Sequence, residues 1–108
     1  GKINSAKELQ LISDNNYRLG LQTLQTEYMA VYNRYQTQLE IVSYYEESAL
    51  KNVNTITETA NRQFENGDIN YLEWTMLINS ATAIQSSYID AVKDLNQTII
   101  QLNYLTSK

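Results

Sequence analysis

Three carboxylates, Glu65, Asp68 and Glu73, stand close around the one strong turn sequence of the chain, Glu65-Asn66-Gly67-Asp68. Converging carboxylate oxygens are what a hard cation requires, but such sites take roughly six to eight oxygens. Soft Cu or Zn sites prefer Cys, His or Met, and near this turn only Met76 qualifies. Cap and helix-dipole roles account for Asp68 and Glu73 more simply, so no metal site is assigned. Nine tyrosines suggest a second chemistry, stacking on a ligand or on single-stranded nucleic acid. Four of them, Tyr28, Tyr35, Tyr45 and Tyr88, instead recur at helical spacing among apolar residues. There a ring fills space and its hydroxyl reaches water at the edge. The chain has no His and no Cys, which removes thiol nucleophiles, disulfides, most transition-metal ligation and the usual general base. No catalytic residue and no cofactor are therefore expected. A net charge of −4 without a basic cluster also leaves nothing to displace phosphate counterions, so nucleic acid is not an expected partner.

The elements that must position these residues are long. The 108 residues include no Pro and only three Gly, where turns normally consume both. Uncharged polar residues (Asn, Gln, Ser, Thr) number 39 against 20 charged ones, giving a wet surface of low charge density. No strand-like alternation occurs. From Leu24 the apolar positions step by three and four through Tyr28, Val31, Tyr35, Leu39, Val42, Tyr45, Ala49, Val53, Ile56, Ala60 and Phe64, one helical stripe. The stripe also repeats at eleven, as in Val31, Val42, Val53 and Phe64, or Tyr17, Tyr28, Leu39 and Leu50. Eleven residues in three turns is about 3.67 per turn, which favours nearly straight packing over a left-handed supercoil. A second stripe reads Leu77, Ala81, Ile84, Tyr88, Ala91, Leu95, Ile99 and Leu102.

Gly67 is placed to end the first helix in the left-handed conformation, and Asp68 or Asn70 to cap the second, with Glu73 completing a capping box on Asn70. The expected fold is all-α: a single elongated antiparallel helical hairpin over 1–108, with a helix over about 5–65, a tip at 66–69 and a helix over about 70–106. At 1.5 Å per residue the arms are about 90 and 55 Å long. Packing about Gly67 sets Phe64 beside Tyr71, Val53 beside about Thr82 and Val31 beside about Tyr104. Residues before about Tyr28 then lack an intrachain partner, although Leu9, Ile12, Tyr17, Leu21 and Leu24 are apolar at helical spacing. That arm either packs on another chain or folds back at Ser13-Asp14-Asn15-Asn16. Since two helices are marginal alone, self-association or a larger parent assembly is expected. Tyr32 and Tyr44, off the main stripe, are candidates for contact with a neighbouring hairpin. No apolar run reaches the roughly 20 residues a membrane-spanning helix needs, and the start at Gly1-Lys2 suggests an excised piece whose targeting signal, if any, lies elsewhere.

The stretch Ala60-Asn-Arg-Gln-Phe64-Glu-Asn-Gly67-Asp-Ile69-Asn-Tyr-Leu72-Glu73 resembles the hairpin-tip signature of TolC-type outer-membrane efflux proteins, in which an aromatic, two residues, a Gly and an apolar/acidic segment mark the turn at the periplasmic end of the α-barrel. Upstream, Tyr44-Tyr45-Glu46-Glu47-Ser48-Ala49-Leu50 resembles the aromatic-acidic segment of the incoming helix. Downstream, Tyr88-Ile-Asp-Ala91 and Asp94-Leu-Asn96-Gln97-Thr-Ile-Ile-Gln-Leu102 resemble the returning helix. The ending from Asn96 to Leu105 is most similar to the TolC-like domain fused at the C-terminus of CzcA-type heavy-metal RND pumps. The chain departs from the family in having no segment that reads as the β-strands crossing the outer membrane, so no membrane insertion by this segment is expected.

The resemblance implies a Gram-negative cell-envelope complex in the periplasm, with three protomers supplying hairpins to a water-filled tube. It also implies a heavy-metal RND pump behind that tube and a periplasmic adaptor docked on the hairpin tips. Asn66, Gly67, Asp68 and Ile69 would form the adaptor-facing tip: Gly admits a close backbone, Asn and Asp offer hydrogen bonds and Ile an apolar contact. Acidic residues such as Glu46, Glu47, Asp90 and Asp94, otherwise a solvated face, would favour cation passage if they lined the tube. The rival expectation is a periplasmic sensor module whose long helices dimerise around a small ligand; it should bring polar groups together inside the stripe. Trp74 follows Gly67, and Trp74-Thr75-Met76 contains no Gly, which separates the chain from helical-hairpin secretion substrates with a Trp-x-Gly turn.

Overall fold

The computed structural model describes residues 2–107, and among them the backbone is helical except at one turn. Helix α1 spans Lys2–Tyr44 and runs through a π-helical turn, Tyr45–Ala49, into α2, Leu50–Glu65; α3, Tyr71–Thr106, returns antiparallel. The result is an all-α helical hairpin of 94 × 22 × 15 Å with arms of unequal length. Absent Pro and scarce Gly let the first arm run without a break, so Ser13-Asp14-Asn15-Asn16 stays helical and the arm does not fold back there.

The seam between the arms follows the periodic stripe. Val31, Val42, Ala49, Val53 and Ala60 are buried on the first arm and Ala81 and Leu95 on the second, with Ala60 fully shielded at 0% exposure. Small residues dominate, so the helices can approach closely with little apolar area between them. Cross-arm hydrogen bonds mark the register: Arg34 Nη1 donates to Gln101 Oε1 at 3.3 Å, Tyr88 Oη to Glu46 Oε1 at 3.0 Å and Trp74 Nε1 to Asn61 Oδ1 at 2.9 Å. The same register places the Phe64 and Tyr71 rings 6.4 Å apart.

At two places the seam departs from the expected stripe. Gln38, not Leu39, takes the inward position, while Leu39 is 42% exposed and the shielded Gln38 Oε1 finds no hydrogen-bond partner among the described residues. On the returning arm Thr98 is buried and Ile99 is exposed at the edge. Thr98 satisfies its hydroxyl by donating to the Asp94 carbonyl at 3.1 Å. The cause is geometric: at about 100° per residue Gln38, seven residues on from buried Val31, lies within about 20° of its direction, whereas Leu39 lies about 80° away, and Thr98 likewise follows half-buried Ala91 by seven.

The π-helical turn interrupts the first arm within this seam. The Leu50 N–H reaches back to the Tyr45 carbonyl, five residues away, and the widened turn buries Ala49. Tyr45 and Tyr88 lie across the seam with ring centroids 6.1 Å apart, and Tyr44 meets Tyr45 edge-on at 5.9 Å.

A candidate docking tip

The turn between the arms is closed by its own backbone. Asp68 N–H donates to the Gln63 carbonyl at 2.8 Å and Gly67 N–H to the Phe64 carbonyl at 3.1 Å, the paired bonds of a Schellman motif. Gly67 has φ +77°, the left-handed conformation that motif requires and that an L side chain resists. A Cβ at Gly67 would meet nothing within 4 Å, so the constraint there is backbone strain and not space. On the other side Asn70 caps α3. Its Oδ1 accepts from Glu73 N–H at 2.8 Å, and the Glu73 carboxylate accepts from Asn70 N–H at 3.5 Å, a reciprocal capping box. The cap falls to Asn70, and Asp68 instead supplies a backbone donor to the turn.

Asn66, Gly67, Asp68 and Ile69 thus occupy the apex together, the first three exposed and Ile69 half-buried. Ile69 precedes the N-cap and Trp74 is the fourth helical residue, the two positions of a hydrophobic staple, and both are partly shielded. Behind the apex lies an aromatic cluster. Phe64 and Trp74 stack at 5.3 Å, and Tyr71 completes the triangle at 5.9 Å from Trp74. The Trp74 bond to Asn61 ties the cluster across both arms. Phe64 and Tyr71 were legible as a cross-turn pair; the part of Trp74 was not, although an indole N–H four residues after the N-cap Asn70 and an Asn five residues before the C-cap Asn66 are the signal that could have found it.

Of the three carboxylates around the turn, one has a structural task. Glu73 is engaged by the capping box, and among the described residues no group of three or more His, Cys, Asp or Glu is placed to hold a metal ion. Away from the tip, the Tyr88 hydroxyl does not simply reach water: it donates to Glu46. That hydrogen bond is the first cause of a Tyr88 pKa raised above the ordinary 10.0, with desolvation and the Glu46 charge acting the same way. Tyr32 lies between Tyr28 and Tyr35, its ring 6.2 Å from each, and it and Tyr44 are exposed. On α3 next to the apex, Tyr71, Leu72 and Met76 present an exposed apolar face.

No family model, no curated protein and no solved structure matches this chain. Among the described residues no helix is long and apolar enough to cross a membrane.

Proposed function

We propose that this hairpin is a wall segment of a TolC-like efflux conduit in the periplasm, working with a heavy-metal RND pump and docking to a periplasmic adaptor through Asn66, Gly67, Asp68 and Ile69. The observation that supports this most is the combination of a 94 Å rod and an exposed tip closed by its own backbone hydrogen bonds. A conduit wall needs long straight helices with short lateral contacts, and a docking tip needs a backbone whose own hydrogen bonds are already made. Here the Schellman turn and the capping box satisfy the two helix ends at the tip internally, leaving the Asn66 and Asp68 side chains and the half-buried Ile69 for a partner.

In this role the protein makes and breaks no bond, and the pump selects the substrate. Three copies standing side by side would bring Glu46, Glu47, Asp90 and Asp94 onto one surface, where these carboxylates would concentrate cations. The exposed Tyr32 and Tyr44 would lie between neighbouring hairpins. The sensor alternative requires polar groups gathered inside the seam. Within it, Thr98 is bonded to its own helix and, among the described residues, Gln38 alone has a buried side-chain atom without a partner, which gives a ligand little to hold.

Cellular metal content tests the proposal. Cells dependent on the full-length parent protein, challenged with cobalt, zinc or cadmium chloride, should accumulate metal when Asp68→Arg and Ile69→Asp are introduced together, at unchanged protein level. Unchanged metal content with all three salts would overturn the assignment of the tip.

A further inference from the structure

Every residue of 4–30 is exposed although the helix through it is unbroken, because α3 ends at Thr106 and nothing covers the first arm beyond Leu105. The face left open is a continuation of the seam. Counting back by sevens from buried Val31 gives Leu24, Tyr17 and Gln10, and between these lie Gly20, Ser13 and Ala6, also seven apart. One edge of the face therefore carries large side chains and the other small ones. A Cβ at Gly20 would meet nothing within 4 Å, so a second backbone has room to approach.

We infer that a second copy of this chain covers this face, running antiparallel about a two-fold axis near Asn15. In that register Leu24 of one copy lies over Ala6 of the other, Tyr17 over Ser13, and Gln10 over Gly20. Large meets small at each of these steps, Leu9 meets Leu21 at the flank, and the two-fold repeats every contact. A parallel pair in register sets Tyr17 against Tyr17 and Gly20 against Gly20, which leaves gaps beside clashes. The open side chains of Leu9, Tyr17, Leu21, Leu24 and Tyr28 expose about 500 Å² per copy, so the pair buries about 1,000 Å², the lower bound of a specific interface. The copy's arm also closes the mostly apolar notch at the end of α3, lined by Leu24, Gln25, Tyr28, Met29 and Leu105. This pairing belongs to the chain on its own and stands apart from the conduit, in which all hairpins point the same way.

Single nitroxide labels test it, since the chain has no native cysteine. With Asn4→Cys the antiparallel register sets the two labelled positions about 33 Å apart along the axis, at 1.5 Å per residue. With Asn16→Cys they fall nearly level. Short distances at both positions would mean parallel arms, as the conduit implies, and would overturn the pairing without touching the conduit. Light scattering on the unlabelled chain should give twice the 12.5 kDa chain mass. Tyr17→Glu should halve the measured mass with helicity retained, because Tyr17 is 70% exposed in the single hairpin and supports none of its seam. A single-chain mass for the parent chain, or a mass unmoved by Tyr17→Glu, would overturn the inference.

Discussion

Replacing Gly67 probes the turn on which the tip depends, and the structure separates two reasons why it should fail. Steric crowding is not one of them, because a Cβ there meets nothing within 4 Å. What remains is the left-handed backbone at φ +77°, which costs an L residue about 1–2 kcal/mol. Gly67→Ala should therefore lose about 1 kcal/mol and Gly67→Val about 2 kcal/mol, since β-branching narrows the accessible region further. Gly67→Asn should lose less than either, Asn being the side chain that visits this region most readily. D-Ala introduced by synthesis should stabilise by about 0.4–1 kcal/mol, because its preferred backbone matches the native one and the unfolded chain loses freedom. Urea unfolding followed by far-ultraviolet circular dichroism, with Trp74 fluorescence as a reporter of the tip, reads these differences at one fixed protein concentration. The order D-Ala, Gly, Asn, Ala, Val from most to least stable is expected. Asn as damaging as Val, or Val equal to the parent, would refute the argument from backbone strain.

Two further outcomes follow from the seam. Tyr88 has its pKa raised in the folded state, so its contribution is fully present below its unfolded value near 10 and is lost as pH rises through the higher folded value. Stability measured from pH 8 to 11.5 should fall more steeply for the parent chain than for Glu46→Gln, which removes the acceptor charge; parallel curves would contradict the assigned cause. Ala60 has no exposed surface, and Ala60→Leu should destabilise by about 1–3 kcal/mol through overpacking, read as a shifted urea midpoint. The same substitution at exposed Asn52 should change little.

Much of the architecture was legible because few solutions fit the residues. A chain without Pro, with steps of three and four from Leu24 to Phe64 and from Leu77 to Leu102, can hide its apolar side only along a helix. Glu65-Asn66-Gly67-Asp68 offered one place to turn, and Asn70 with Glu73 one place to restart. The register then followed from the position of Gly67, since tight turns leave little slack. What escaped depends on helical phase. Gln38 faces inward because the buried seam steps by seven from Val31, whereas the apolar row that holds Leu39 steps by eleven and lies to one side. The π-helical turn at Tyr45–Ala49 shifts the phase of the first arm, and no residue type announces it. At the tip, single residues carried their own signals, whereas the Trp74–Asn61 bond needed both arms in place.

The proposed role in a conduit is tested most directly by photo-cross-linking in intact cells, with a benzophenone amino acid at position 68 of the full-length parent protein and, as a control, at exposed position 52. The account predicts an adduct from position 68 to a periplasmic adaptor protein, identified by mass spectrometry and missing from the control. No adduct from position 68, or the same adduct from both positions, would contradict docking through the tip.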